Sequence, residues 1–464
     1  MIQINKQLQA TELVSAADAV ANAAKPKIRS LEKRWNPKDG TPVFTEAGRY
    51  TTRGWTEWTQ GFQYGNALLT FELAQDEEFL TLGRRHTLGD MATHLTHIGV
   101  HDHGFNNVST YGNLLRFMSE GLIPEVEWER NFYELALKVT GAVQAARWTA
   151  LAPDMGFIYS FNGPHSLFAD TVRSLRALAV AHQLGHVLMG EMDRRHSLLE
   201  RLLQHAEATA RYTVYYGSGR DAYDLRGRTA HESVFNLNDK AYRCPNSQQG
   251  YSPFSTWTRG LAWVMCGFAE EIEYLDQLAP AELEPHGGRA KWLSRFIEVA
   301  QAVCDFYIEH TPTDGIPYWD TGAPGLHRLG DYLDRPAEPF NDHEPVDSSA
   351  AAIGAQGLIR LGRYLQNLPD TAEIGSRYLQ AGLTTAQTLF REPYSSVDPN
   401  HEGLLLHTVY HRPNGWDYIP AESKIPYGES AMWGDYHLLE LAVLVKRLGT
   451  DKPYHRFFNL KKNS

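Results

Sequence analysis

Residues 163–185 read GPHSLFADTVRSLRALAVAHQLG, and this stretch shows the pattern on which the predicted fold rests. Its apolar residues recur every three or four positions, which is the spacing of one face of an α-helix. The apolar stripe consists of Phe168, Val172, Leu175 and Ala179. A second stripe is made of mostly small residues and begins with Asp170. The stretch therefore predicts a helix over 166–184.

Segments with the same periodicity follow one another along the chain, separated by loops rich in Gly, Pro, Asn and Asp. They cover residues 10–35, 59–76, 78–97, 109–120, 126–149, 166–184, 190–214, 255–277, 289–311, 346–366, 370–391 and 428–448. Strand-like stretches are few and short, for example 404–411. The pattern predicts an all-α protein with one domain over 1–464. Twelve helices suit an (α/α)6 barrel, although a superhelical stack of helical hairpins would show the same periodicity.

Composition and charge narrow the classes of partner. The 464 residues are 42% hydrophobic and 21% charged, which is typical of a globular protein with a large core. The net charge of -11 argues against nucleic acid or an anionic membrane as partner. The three cysteines have no paired spacing, and neither a secretion signal nor an apolar run of membrane-spanning length is visible. We therefore expect a cytoplasmic protein; the sequence does not predict its oligomeric state.

The motif VHDHGFNN at 100–107 places an aspartate between two histidines and follows a run that holds His86, His94 and His97. A metal site would need three or four ligands that converge on one point, and these histidines are spread along a helix and its end. We expect neither a metal nor another cofactor here, and we favour an acid/base role for Asp102.

Asp170 lies on the stripe of small residues, which predicts that its carboxylate points into a confined space. The alternative is an ordinary first-turn aspartate that interacts with the helix dipole and pairs with Arg173.

Arg259 and Trp263, in SQQGYSPFSTWTRGLAWVMCGF at 247–268, are neighbours on one helical face. An arginine beside tryptophans can hold a carboxylate while a sugar ring stacks, but a buried salt bridge would explain it equally well.

Two further helices start with hydroxyl-bearing residues, in VDSSAAAIGAQGLIRLG at 346–362 and YGESAMWGDYHLLELA at 427–442. Helix capping alone explains both starts. In combination, however, six stretches resemble the unsaturated glucuronyl hydrolases of glycoside hydrolase family 88 and the related unsaturated rhamnogalacturonyl hydrolases. These stretches are WTEWTQGFQYGNALL, HDHGF, DTVRSLRALAVAHQLG, QGYSPFSTWTRGLAW, DSSAAAIGAQGLIRL and ESAMWGDYHLLE. The resemblance covers about 55–448 and implies an (α/α)6 barrel.

The resemblance also implies a set of site residues. The two active-site aspartates of the family fall on Asp102 and Asp170. The residues that match substrate contacts are Trp58, His231, Gln249, Arg259, Trp263 and, on a weaker match, Ser430. Three departures from the family pattern bear on the preference for the neighbouring sugar. Phe161, a further predicted substrate contact, stands where the family commonly has tryptophan, GLAW at 260–263 replaces Gly-Gln-Ala-Trp, and 217–227 looks like a loop insertion.

The implied activity is removal of a 4,5-unsaturated uronic acid from the non-reducing end of oligosaccharides that lyases produce, by addition of water across the C4=C5 bond. In that scheme Asp170 is the general acid, so its pKa should be raised by burial and by the charge of Asp102. Arg259 should hold the substrate carboxylate. The alternatives are an inverting glycosidase that acts on a saturated sugar and a non-catalytic oligosaccharide-binding protein.

Overall fold

Helices dominate the computed structural model, which describes residues 1–54, 57–152, 154–450, 452–458 and 460. Within these residues the α-helices are α1 (Val14–Arg34), α2 (Gln60–Ala74), α3 (Glu77–Gly89), α4 (His103–Asn107), α5 (Asn113–Ser119), α6 (Glu127–Ala146), α7 (Thr171–Ser174), α8 (Arg176–Gln183), α9 (Leu198–Ala208), α10 (Thr258–Gln277), α11 (Pro280–Leu283), α12 (Arg289–Glu309), α13 (Ser348–Gln366), α14 (Ala372–Leu389) and α15 (Met432–Gly449). A π-helical turn, Val108–Gly112, joins α4 to α5. None of these helices is both long enough and apolar enough to cross a membrane.

The helices form two concentric rings. The inner ring runs through α2, α4–α5, α7–α8, α10, α13 and α15, each in contact with the next. The ring closes because α15 packs against α2. The helices α1, α3, α6, α9, α12 and α14 alternate with the inner ones along the chain and lie outside them. The predicted (α/α)6 barrel is confirmed, and the open superhelical stack is wrong.

Close contacts between inner helices depend on glycine. A Cβ atom on Gly104 in α4 would lie 2.2 Å from the carbonyl oxygen of Ser174 in α7. A Cβ atom on Gly61 in α2 would lie equally close to the carbonyl oxygen of Asn106. No side chain fits at such distances, so these glycines let three consecutive inner helices approach each other at their N-terminal ends.

Buried ion pairs hold the inner ring together. Arg173 contacts Glu270 at 2.7 Å and Glu440 at 3.1 Å, and Arg176 contacts Glu440 at 3.5 Å. All four side chains are almost completely buried. Removal of one partner would leave an unpaired charge in the protein interior, which typically costs about 3–5 kcal/mol.

Short antiparallel strands fill the loops. They are β1 (Phe44–Glu46), β2 (Arg49–Thr51), β3 (Trp148–Ala152), β4 (Met155–Ile158), β5 (Ser166–Phe168), β6 (Leu188–Met189), β7 (Arg195–His196), β8 (Glu232–Phe235) and β9 (Tyr242–Asn246). They pair as β1–β2, β3–β4, β5–β8–β9 and β6–β7.

Two expectations about strands and helices need correction. Residues 166–168, predicted as the start of a helix, pair with β8 instead. Residues 404–411, predicted as strand-like, make only isolated bridges, through Leu405 and Leu406.

Candidate active site

A cavity of about 430 Å³ collects most of the predicted site residues. This volume is within the range of small-molecule binding sites. The predicted residues that line it are Trp58, Asp102, Phe161, Asp170, Gln249, Arg259 and Trp263. His231 and Ser430 are not part of its lining.

Asp102 and Asp170 occupy equivalent positions, each immediately before a short inner helix. Asp102 precedes α4 and Asp170 precedes α7, and neither side chain caps its helix. The close approach at Gly104, whose N–H donates to Ser174 Oγ at 2.8 Å, fixes the two helix starts side by side. Asp170 does not pair with Arg173, because the guanidinium of Arg173 binds Glu270 and Glu440. The alternative in which Asp170 forms an ion pair with Arg173 is therefore wrong.

His101 lies between the two carboxylates. Its Nε2 is 3.1 Å from Asp170 Oδ1 and 3.8 Å from Asp102 Oδ1, and all three side chains are buried. Burial would raise the pKa of Asp170, but the charge and the hydrogen bond of His101 outweigh it and hold this pKa below its usual value. The expectation of a raised Asp170 pKa is therefore wrong for the free protein. No pattern in the sequence indicates this effect, because the contact between His101 and Asp170 joins residues that are far apart in the chain.

Aromatic rings form much of the cavity wall. Trp58 stacks on Trp433, with ring centroids 5.2 Å apart. Phe161 stacks on His101 at 6.2 Å, and Trp263 packs against Phe105 at 4.7 Å. Rings fixed in this way present rigid apolar faces, as sugar-binding clefts require.

The guanidinium of Arg259 is fixed by hydrogen bonds from both of its terminal nitrogens. Its Nη1 donates to Asp347 Oδ2 at 2.7 Å and to the carbonyl of Val409. Its Nη2 donates to Gln249 Oε1 at 2.9 Å and to the carbonyl of Tyr410 at 2.7 Å. The buried salt bridge that the sequence left open is therefore present, and both terminal nitrogens already have protein partners. Arg259 fixes the orientation of the Gln249 amide, because the oxygen of that amide accepts from the guanidinium.

His231 stands next to the cavity. Its Nδ1 accepts from the backbone N–H groups of Gln248 at 3.0 Å and Gln249 at 3.2 Å, which assigns the ring proton to Nε2. This Nε2 is buried and has no hydrogen-bond partner among the described residues. The ring packs against that of Trp257, which lines the cavity. Burial lowers the pKa of His231 to about 4, so the ring is neutral near pH 7.

Ser430 is not available to a substrate. Its hydroxyl donates to Asp435 Oδ1 at 2.7 Å, and the residue is fully buried. The structure gives no support to the predicted substrate contact of Ser430, because this hydroxyl anchors the start of α15.

The remaining histidines of the segment have separate roles. His86 contacts Asp90 and Glu32, His94 binds Gln60, and the ring of His103 binds the carbonyl of His97. The described residues contain no group of three or more His, Cys, Asp or Glu side chains that is arranged to hold a metal ion.

One wall of the cavity is not predicted by any motif in the sequence. Tyr410, His411, Asn414 and Trp416 line it from a single loop. The backbone N–H groups of Tyr410 and His411 donate to Asp417, which shapes the loop. Its only signal in the sequence is a Pro-Asn-Gly turn between aromatic residues, which is typical of many surface loops. The suspected insertion at 217–227 contributes no residue to the lining.

Curated relatives agree with the motif resemblance. The chain is 26% identical over 422 residues to an unsaturated glucuronyl hydrolase of Bacillus sp. strain GL1. The aligned region covers 88% of this chain and 92% of that protein. The chain is 24% identical over 393 residues to an unsaturated glucuronyl hydrolase of Formosa agariphila, covering 83% and 78%. An unsaturated chondroitin disaccharide hydrolase of Streptococcus pyogenes is 24% identical over 411 residues, covering 86% and 84%. A scan of protein-family models finds no match.

Solved structures show the same fold. The crystal structure of the Bacillus sp. GL1 unsaturated glucuronyl hydrolase superposes with a TM-score of 0.69 at 22% identity, covering 93% of this chain and 97% of that one. An unsaturated glucuronyl hydrolase specific for heparin gives 0.69 at 20% identity, with the same coverage. The chain is therefore a homologue of the unsaturated glucuronyl hydrolases, as its motifs indicated, and it shares their (α/α)6 barrel.

Proposed function

We propose that this protein is a glycoside hydrolase that removes a 4,5-unsaturated uronic acid from the non-reducing end of lyase-generated oligosaccharides. The observation that carries the proposal is the position of Asp102 and Asp170, side by side in a cavity walled by aromatic rings. The relatives that the chain matches over most of its length carry names with the same activity.

In the proposed reaction Asp170 donates a proton to C4 of the unsaturated sugar, and positive charge develops at C5. Water adds its oxygen to C5 and gives up a proton to the carboxylate of Asp170. The product is a hemiketal, which opens and releases the neighbouring sugar. Asp102 stands on the other side of His101 Nε2, where its negative charge favours a proton on the pair formed by His101 and Asp170.

The role of Arg259 in substrate recognition has to be revised, because both of its terminal nitrogens already bind protein groups. We propose that Arg259 orients Gln249, and that the amide N–H groups of Gln249 donate to the sugar. The support is the hydrogen bond from Arg259 Nη2 to Gln249 Oε1, which fixes the amide nitrogen as the free donor end of a residue that lines the cavity. His231 is the second proposed donor, through its unpartnered Nε2.

The geometry argues against both alternatives. An inverting glycosidase keeps its two carboxyl groups ~6.5–9.5 Å apart with room for a water between them. Here the nitrogen of an imidazole lies within 3.1 Å of Asp170 and 3.8 Å of Asp102, so a protein side chain takes up space beside both carboxylates. A protein that only binds oligosaccharides has no need for two buried carboxylates, whose desolvation disfavours folding unless they are paired.

We also propose that the whole chain forms one catalytic domain and works in the cytoplasm. The three cysteines are unpaired and Cys244 is exposed, which suits a reducing compartment.

The test uses unsaturated disaccharides derived from chondroitin, hyaluronan and pectin. We expect the ultraviolet absorbance of the C4=C5 bond to disappear with at least one of them. A saturated glucuronide should not be cleaved, because it has no double bond to protonate. Cleavage of the saturated sugar would favour the inverting glycosidase, and binding without turnover of any substrate would favour the non-catalytic protein.

A further inference from the structure

His101 contacts both carboxylates of the cavity. One ring nitrogen, Nε2, contacts the carboxylates of both Asp170 and Asp102, at 3.1 Å and 3.8 Å. His101 also lines the cavity. A single proton can therefore move between the imidazole and Asp170 along an existing hydrogen bond.

The protein holds His101 rigidly in this place. Its backbone carbonyl accepts from Gln144 Nε2 at 3.0 Å and from Ser174 Oγ at 3.0 Å. Its ring stacks on Phe161 and meets the ring of Phe168 edge-on, with centroids 5.6 Å apart. Because these groups are already fixed in place, little reorganisation energy is needed when a proton moves between His101 and Asp170.

We propose that His101 is a positioning residue that supplies Asp170 with the proton that Asp170 delivers to C4. This inference rests on the proposed function. In the free protein the proton resides on His101 and Asp170 is ionised. When substrate covers the cavity and excludes water, the ion pair loses solvation, and the proton moves to Asp170 to leave two neutral groups.

The proton balance closes over one turnover. The imidazolium gives its Nε2 proton to Asp170 Oδ1, and Asp170 then gives that proton to C4. Water adds to C5, and the proton that it loses returns to the Asp170 carboxylate and from there to Nε2. The net change is the addition of one water to the double bond, with no oxidant, reductant or second substrate.

The surrounding charges support a proton on His101 and an ionised Asp170 in the free protein. Burial would lower the pKa of His101, but the charges of Asp102 and Asp170 outweigh it and raise this pKa, against a smaller opposing effect of Arg147. The neighbouring His205 and His231 have their pKa values lowered by burial, to about 3 and about 4, so they remain neutral and do not compete for the proton. His101 Nδ1 is buried without a partner among the described residues. An unpartnered N–H costs more on a charged ring than on a neutral one, which favours release of the proton when the ion pair is covered.

The first experiment follows His101 itself. The protein is labelled with ¹⁵N-histidine, and the signals of His101 are identified by comparison with His101→Gln. We expect the ring of the free protein to titrate from imidazolium to imidazole above its ordinary pKa of about 6.5, at the pH where kcat/KM declines on the alkaline side. A ring that stays neutral from about pH 5 to about pH 8 would overturn the inference.

The second experiment compares two glutamine variants. His101→Gln should lower kcat at neutral pH by about 10²-fold or more, and should move the alkaline decline of kcat/KM by at least about one unit to lower pH, because a carboxyl group alone must then retain the proton. The matched control is His103→Gln, also buried but bonded to the carbonyl of His97. It should leave the position of the alkaline decline unchanged.

The outcomes separate this inference from the proposed function. A wild-type protein that turns over no unsaturated disaccharide defeats the proposed function, whatever His101 does. A wild-type protein that is active, together with a folded His101→Gln variant whose alkaline decline does not move, defeats the inference alone. If His101→Gln does not fold by circular dichroism, the smaller His101→Asn variant replaces it, both for the identification of the ring signals and for the pH profile.

Discussion

Replacement of Arg259 by lysine tests whether the hydrogen bonds of its guanidinium hold the cavity wall in place. The guanidinium makes four hydrogen bonds through its two terminal nitrogens, to Asp347, Gln249 and the carbonyls of Val409 and Tyr410. It also lies between the rings of Trp257 and Trp433, at 4.8 Å and 4.9 Å. A lysine has one nitrogen and cannot reach the acceptors on both sides.

The expected cost follows from those contacts. If lysine keeps the contact with Asp347, at least two of the bonds are lost. Each hydrogen bond to a charged group contributes ~1.5–3 kcal/mol net, so Arg259→Lys should lower the free energy of unfolding by ~3–6 kcal/mol. The matched control is Arg243→Lys, because Arg243 pairs with Asp239 at 2.6 Å with both side chains about half exposed. The control should cost less than ~1 kcal/mol.

Urea unfolding measures the stability change, and a double-mutant cycle tests the route to the substrate. Arg259→Lys should lower kcat/KM by about tenfold or more, equivalent to ~1.4 kcal/mol. If Arg259 acts through Gln249, then Gln249→Ala in the Arg259→Lys background should add little further loss. Fully additive losses would show that Arg259 contacts the substrate independently, and a stability loss no larger than the control's would refute the reasoning about its hydrogen bonds.

Three further predictions concern the other site residues. Asp170→Asn keeps the shape of the side chain but cannot act as an acid, so kcat should fall by ~10²–10⁴-fold with KM little changed; normal turnover would exclude Asp170 as the acid. Ser430→Ala removes the hydrogen bond to Asp435, so the free energy of unfolding should fall by ~0.5–1.5 kcal/mol in a urea titration while KM stays the same. Prolonged dialysis against a chelator should leave activity intact, and a loss that zinc or manganese reverses would show a metal requirement.

Helical periodicity made the fold predictable. The inner helices α10 and α13 begin within two or three residues of their predicted starts, because each follows a clear change from loop composition to an apolar pattern. The segment at 166–184 differs from the prediction at its start: Phe168 continues the helical spacing of Val172 and Leu175, but Ser166–Phe168 pairs with β8, far away in sequence. Local periodicity cannot report such a partner.

The identity of the site residues was easier to predict than their interactions. Asp102, Asp170 and Arg259 stand in motifs that the sequence displays, and all three line the cavity. The protonation of Asp170 and the hydrogen bonds of Arg259 depend on partners distant in sequence. His101 lowers the pKa of Asp170, and the guanidinium of Arg259 donates to Asp347 and to the carbonyl of Tyr410. Tertiary packing brings these groups together, so neither the proton position nor the use of the guanidinium could be derived from composition or spacing.

The contact between α2 and α15 has a consequence for synthesis of the chain. These helices are neighbours in the inner ring although most of the sequence separates them. On the ribosome, α2 emerges long before α15 exists, so the part of its surface that contacts α15 has no partner during most of translation. A nascent chain that stops before Met432 therefore has an open ring with two unpaired edges, and such intermediates are the species that chaperones must protect from aggregation.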